Sequence, residues 1–413
     1  MIDDSRLAEA LGIGSIPDDE LVAIVSSIFP FSRWENTDRG SRRRISYFHP
    51  EHGHVLDLIF GKDRRSITGC HVGAGLTVEF LQSLQEQCSA AIADEAGYKI
   101  RRVVLFSIPE VKGFWKHSDE WQILPAPDEA PRPGFLSGEH PFTFEFRVCS
   151  STNFVVNMTR QGRRISELHC LLSLLLGGRI TREWPNHPHH WMLLREPTTS
   201  GSQTVYANEG YLVEGFIAEA DDFTNVWGKR ELSVVPDGDY YARRGIGIDD
   251  ELEVPTCLDL AFNLFENAEA ETRDKFLRAA YWFDAAYRAW NTSKALSYIA
   301  AINAIEVLVP SHTADPCPSC KRDRSPGPTK RFRDFVEEYA AVESEGARTE
   351  MYSFRSALVH GDYLHNMDSP LAWGALTPGA AEHRELHDSA LSVARTALRT
   401  WLLNTGHAER AAT

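Results

Sequence analysis

Apolar positions along the chain change their period near residue 258. Before that point, strand-like and helix-like stretches alternate. Residues 55–60, Val-Leu-Asp-Leu-Ile-Phe, form an apolar run that leads into a Gly61-Lys62-Asp63 turn, and residues 66–72 read as a second strand. Leu76, Phe80, Leu81, Leu84, Cys88 and Ile92 then recur at helical spacing, which predicts a helix over 76–96. Residues 101–108 read as a further strand, and Phe-Thr-Phe-Glu-Phe-Arg-Val, from Phe142, alternates with the period of two of another. A helix over 165–176 ends at Gly177-Gly178, and strand-like pieces follow at 191–194, 203–207 and 211–218. The run Pro-Ala-Pro-Asp-Glu-Ala-Pro-Arg-Pro at 125–133 removes backbone donors and fixes φ, so a lobe break is expected near 125–140.

From Leu258 onward the pattern is nearly continuous helix, over 258–268, 271–290, 293–309, 329–341, 345–360 and 378–403. Phe276, Ala279, Ala280, Phe283, Ala286, Tyr287 and Trp290 make one core stripe; Ala295, Ile299, Ile302, Ile305 and Leu308 make another, stopped by Pro310. Amphipathic helices joined mostly by short links describe an antiparallel bundle. The expected fold class is α+β. A mixed α/β-strand region of unread role spans 1–250, and an all-α bundle spans 251–413, with a Cys-containing insertion at 310–328.

Composition narrows the function classes. At 413 residues the chain is long enough for two domains, and 43% hydrophobic residues are ample for packed interiors. Its longest apolar runs fall far short of the roughly 20 residues a membrane span needs. The acidic start Met1-Ile-Asp-Asp lacks a signal-peptide pattern, so a cytoplasmic protein without membrane partners is expected. The seven cysteines, odd in number and mostly scattered, agree. A net charge of −15 argues against coating nucleic acid by bulk electrostatics, while leaving room for a local grip on RNA. Basic clusters at Arg42 to Arg44, Arg101-Arg102, Arg163-Arg164 and Arg243-Arg244 read as solvated surface. The 1–250 region carries no repeat, no phosphate-cradling glycine loop and no nucleophile elbow. His187-Pro-His189-His190, flanked by tryptophans, reads as a loop.

The strongest chemistry lies in the predicted helix 345–360. Gly361 suits the left-handed conformation just past a helix end, which sets Arg355 in the last turns and His360 at the final position. Five positions on an ideal helix separate two side chains by about 140°, so they share no face unless the last turn distorts or the long guanidinium reaches round. The residue types suit phosphate chemistry. Arginine offers a permanently charged fork of donors, and histidine exchanges a proton near neutral pH. The bland alternative is a helix C-terminus stabilised by two cations. Asp362 and His365, in the next loop, read as surface.

The segment Tyr352-x-x-Arg355-Ser356-Ala-Leu-Val-His360-Gly361 resembles the Arg-x4-6-His signature of HEPN domains, in particular the Apea-like branch. The helix Ala300-Ala-Ile-Asn-Ala-Ile-Glu306-Val-Leu-Val309 is similar to that branch's earlier, glutamate-bearing helix. The resemblance covers about 258–403. It implies a HEPN helical bundle that cleaves RNA, tRNA included, without a metal. The 2′-hydroxyl attacks its own phosphodiester, with His360 as acid or base and Arg355 stabilising the charge that builds on phosphorus. It also implies a homodimer whose two motifs line one cleft. Ser356 would add a hydrogen bond, Glu306 would orient Arg355, and Tyr352 would pack or orient more than react. Many family members carry Asn, Asp or His where this chain has Ser356.

A second constellation is His312-x4-Cys317-Pro-Ser-Cys320. Two thiolates at this spacing are half of a tetrahedral zinc site, His312 is a candidate third ligand, and no fourth is evident nearby; the alternative is a loop with two free cysteines. Such a zinc would be structural, with no cofactor expected for catalysis. Lys321, Arg322, Arg324, Lys330 and Arg331 beside it would border an RNA cleft. The expected function is a metal-independent endoribonuclease in antiviral defence or a toxin-like role. The alternative is a non-catalytic HEPN bundle serving as a dimerising or ligand-binding module.

Overall fold

The computed structural model describes residues 2–36, 43–61, 66–93, 97–126, 140–176, 180–181, 192–194, 204–206, 219–242, 250–290, 292–311, 326–340, 345–368 and 378–412. The chain is α+β, with sheets in its N-terminal part and helices in its C-terminal part. It divides into two compact units that are discontinuous in sequence: Met1–Arg102 with Glu145–Ser166 and Ile217–Asn225, and Val103–Phe144 with Glu167–Phe216 and Val226–Thr413.

The first unit opens with helices α1 (Asp4–Leu11) and α2 (Asp18–Ile28). An antiparallel sheet follows in plain meander order, β1 (Phe31–Asn36), β2 (Arg43–His49), β3 (Gly53–Phe60) and β4 (Ile67–Val72), and then α3 (Val78–Ala93). Leu7, Leu21, Ile24, Phe29, Tyr47, Leu56, Leu58 and Leu84 bury one face of sheet and helices in a single core. The predicted strands at 55–60 and 66–72 and the helix from Leu76 fall on β3, β4 and α3. The turn between those strands lies mostly outside the described residues.

Strands β5 (Tyr98–Ser107), β6 (Trp115–His117), β7 (Trp121–Pro125) and β8 (His140–Cys149) belong to a second sheet, in which β8 lies between β5 and β7. Polar and apolar residues alternate in β8, yet Thr143 and Glu145 are buried along with the phenylalanines that flank them. Glu145 tolerates this because its carboxylate accepts from Arg102 Nε at 2.6 Å and from Thr224 N at 2.9 Å. Helix α4 (Phe154–Leu175) begins eleven residues before the predicted 165, a correction with a local cause. Asn153 Oδ1 accepts from the N–H groups of Val155 and Val156, so a capping side chain starts the helix before any apolar stripe announces it. Of the strand-like pieces that follow, Met192–Leu194 pairs antiparallel with Thr204–Tyr206. The segment 211–218 and the lobe break beyond residue 126 lie outside the described residues.

Short helix α5 (Asp237–Ala242) precedes the bundle: α6 (Leu258–Glu266), α7 (Ala270–Ala289), α8 (Lys294–Leu308), α9 (Pro328–Tyr339), α10 (Glu345–His360) and α11 (Pro378–Ala412). All six predicted helices form. Helix α8 is apolar nearly all round, as a helix enclosed by others must be, and it packs against α7, α9, α10 and α11. Its alanines 300, 301 and 304 permit close approach, while Ser297 Oγ donates to Ala286 O on α7 and Tyr298 Oη to Met351 O on α10. The N-cap Ser293 and the flanking loop fix where it starts: Ser293 Oγ accepts from Leu296 N, and Asp368 accepts from the N–H groups of Lys294 and Ala295.

Candidate functional site

Two side-chain pairs, each spaced i,i+3, face each other across α8 and α10. Asn303 and Glu306 lie on one face of α8, Tyr352 and Arg355 on one face of α10. Arg355 Nη2 donates to Glu306 Oε2 at 2.8 Å and to Asn303 Oδ1 at 3.1 Å. Tyr352 Oη donates to the other carboxylate oxygen, Glu306 Oε1, at 3.2 Å. The glutamate thus holds both α10 side chains at once, and its place beside the apolar stripe of α8 is explained by those two partners.

The network is half open. Arg355 keeps 24% of its side-chain surface exposed and Glu306 28%, so the ion pair is neither buried nor merely superficial. Arg355 Nη1 makes no hydrogen bond among the described residues, and Nε is buried without one. One nitrogen therefore anchors the guanidinium while another remains to bind. Burial, and then Glu306 beside it, raise the Tyr352 phenol above its usual value, so it stays a neutral donor. Its ring packs 5.1 Å from that of Phe332 on α9. Arg331, on the same helix, is close enough for its charge to be felt at Tyr352, and it donates to Pro310 O at 3.3 Å.

Helix α10 ends as its glycine predicts. Gly361 has φ +79°, its N–H donates to Leu358 O, and the N–H of Asp362 reaches back to Ala357 O. This pair of reversed bonds makes His360 the last residue before the left-handed turn. His360 is exposed, and its imidazole makes no hydrogen bond or ion pair among the described residues. Of the five predicted site residues, Arg355, Glu306 and Tyr352 come together, and His360 stands apart from them at the helix end. Ser356 is half-buried and makes no side-chain hydrogen bond among the described residues.

Asn303 was not foreseen. Its signal was the spacing Asn303-x-x-Glu306, which puts an amide on the glutamate's own face. His365 is a correction: expected at the surface, it is fully buried. It packs against Phe354 from α10 and His383 and His387 from α11, with ring centroids 5.9, 5.2 and 5.6 Å away. Burial lowers His365 to about 4 and His387 to about 3, and lowers His383 as well, so all three are neutral bases. Ser297 Oγ gives its proton to Ala286 O and so accepts from His387 Nε2 at 2.9 Å. The N–H groups of Met367 and Asn366 donate to Nδ1 of His365 and His383. These rings tie the loop after Gly361 to the bundle.

The predicted metal ligands His312, Cys317 and Cys320 lie outside the described residues, as do Lys321, Arg322, Arg324 and the His187-Pro-His189-His190 run. Several residues of the basic clusters make ion pairs within the chain: Arg102, largely covered, with the buried Glu145, and the more exposed Arg44 with Asp57 and Arg163 with Asp19 and Glu20. Among the described residues, no helix is long and apolar enough to cross a membrane. Compared with protein-family models, with curated proteins and with solved structures, the chain matches none.

Proposed function

We propose that the α6–α11 bundle is a HEPN-type endoribonuclease that cleaves RNA without a metal ion. The observation that carries this reading is the Arg355 guanidinium, anchored through Nη2 by Glu306 and Asn303 on a half-open face, with Nη1 making no hydrogen bond among the described residues. A cation pre-positioned in this way stabilises charge building on a phosphorane at little reorganisation cost. His360, exposed at the end of the same helix, supplies the proton exchange. The RNA 2′-hydroxyl attacks the adjacent phosphorus while a base takes its proton. The P–O5′ bond breaks, and an acid protonates the departing oxygen, leaving a 2′,3′-cyclic phosphate and a 5′-hydroxyl.

One His360 cannot be base and acid in the same step, and its side chain lies about 140° round the helix from Arg355. A second copy answers both points by bringing another motif to the cleft. Val359, Tyr363 and Leu364, large and exposed, flank His360 and suit a homodimer contact there.

The test is cleavage of total RNA, tRNA included, by the full-length protein with and without chelator. Chelator-resistant cleavage to cyclic-phosphate ends is expected, with at least about a 100-fold loss in both His360→Ala and Arg355→Ala. A second reading, a silent dimerising or ligand-binding bundle, is favoured by the same Arg355–Glu306 pair taken as a brace between α8 and α10. Wild-type protein that leaves every RNA intact would select it.

A further inference from the structure

Away from that network, α4 and α7 bring together a set of side chains that the nuclease reading does not use. His169 and Cys170, near the end of α4, and Asp284 of α7 are all buried, and one donor atom from each lies within 4.8 Å of the other two. We propose that these three residues form a binding site for zinc, or for a cation of similar borderline softness, that staples α4 to α7.

The spacing is that of ligands more than of mutual hydrogen-bond partners. His169 Nδ1 and Asp284 Oδ1 stand 3.7 Å apart, beyond hydrogen-bond range. Ligands around tetrahedral zinc, at bond lengths of about 2.0 to 2.3 Å, are roughly 3.3 to 3.8 Å from one another. A small inward movement of Cys170 Sγ completes three corners, and water takes the fourth. Ser173 lies on the same side of α4, three residues beyond Cys170. It is fully buried, and its Oγ has no hydrogen-bond partner among the described residues. An orphaned buried hydroxyl there suits a partner for that water.

The donor set selects the cation. An imidazole, a thiolate and one carboxylate oxygen favour zinc over magnesium or calcium, which take oxygen ligands. Asp284 can serve without breaking its ion pair, because Arg288 Nε holds Oδ2 at 2.9 Å and leaves Oδ1 to the metal. Burial pushes the Cys170 thiol up to about 12, so the metal must displace its proton to solvent. Thiolate and carboxylate then balance the dication. Arg288, 45% exposed and reaching the ring of Tyr281, keeps its own charge near water.

Cobalt reads this site directly. The probe is full-length protein carrying Cys317→Ser and Cys320→Ser, so that the insertion contributes no thiolate. It is stripped with chelator and titrated with Co2+. A near-ultraviolet thiolate-to-cobalt band with visible tetrahedral bands, saturating at one ion per chain, is expected; Cys170→Ala on this background removes the thiolate band. No band in the parent, or a band surviving Cys170→Ala, overturns the proposal. Should Cys170→Ala fail to fold, Asp284→Asn decides. Cobalt binding at least tenfold weaker supports the site, and unchanged binding sinks it. RNA cleavage plays no part in the readout, so the two proposals stand or fall separately.

Discussion

His360 and His365 are five residues apart on either side of Gly361, and they sit in opposite surroundings. The first is exposed at the end of α10; the second is enclosed by Phe354, His383 and His387. One residue type thus serves two ends in one turn of chain. Where water reaches the ring, a histidine can exchange protons with a substrate. Where burial holds it neutral, it fills space and accepts backbone N–H bonds, and it fixes the loop that its exposed neighbour leads into. The glycine separates the roles, because a helix continuing past His360 would carry His365 along its own surface.

Acid should separate the two most strongly. His365, held near 4, and His387, held near 3, bind no proton in the folded protein at pH 5, whereas their unfolded counterparts titrate at 6.5. The unfolded state therefore holds more protons throughout that window, and stability rises with pH there. Lys294 on α8 adds to the cost of protonating either ring, even though burial lowers it to about 8. Asp368 in the loop opposes it, and His383 and Glu382 complete the charges that bear on the cluster. Two such groups cost on the order of 3 kcal/mol between pH 6.5 and 5. Urea melts should show that loss, and His387→Asn should flatten it. A pH-independent midpoint over this range would mean the rings are solvated.

Substitution at the two positions gives the next largest contrast. His365→Ala opens a cavity and strips the Met367 N–H of its acceptor, at a cost of about 2 to 3 kcal/mol. His360→Ala removes an exposed ring and should move the melt by under about 0.5 kcal/mol while abolishing RNA cleavage. If both variants melt alike, the assignment of one histidine to structure and the other to chemistry is wrong.

The same contrast marks what the sequence could convey. Arg355 and the helix end at Gly361 were legible from residue type and local pattern, whereas Glu306 and Tyr352 entered through the resemblance of their two helices to a known motif. His365 defeated that reading because its burial is decided by Phe354, by His383 and His387 eighteen and more residues later, and by the path of a loop with no period. Asn303 was readable as the neighbour of Glu306 one turn earlier, though nothing local says that a guanidinium comes to it. The sequence places the start of helix α4 too late because Asn153, a cap, carries it, and nothing local in the alternation of β8 shows that Arg102 and Thr224 come to Glu145 from distant parts of the chain.

The smallest effect probes the open side of the comparison alone. Tyr352→Phe keeps the ring packed beside Phe332 and deletes only the Oη to Glu306 bond. That bond joins a neutral donor to a half-exposed carboxylate, so its loss should cost about 0.5 to 1 kcal/mol. Glu306 retains Arg355 through Oε2, but the carboxylate is freed to rotate, and the guanidinium turns with it. If Tyr352 orients the network without touching the RNA, kcat should fall a few-fold with KM unchanged, and the pH profile of cleavage should keep its shape. A shifted pH profile, or a loss as deep as that of His360→Ala, would instead place the phenol in proton transfer. Unchanged kinetics with the stability loss intact would make it a brace between α8 and α10.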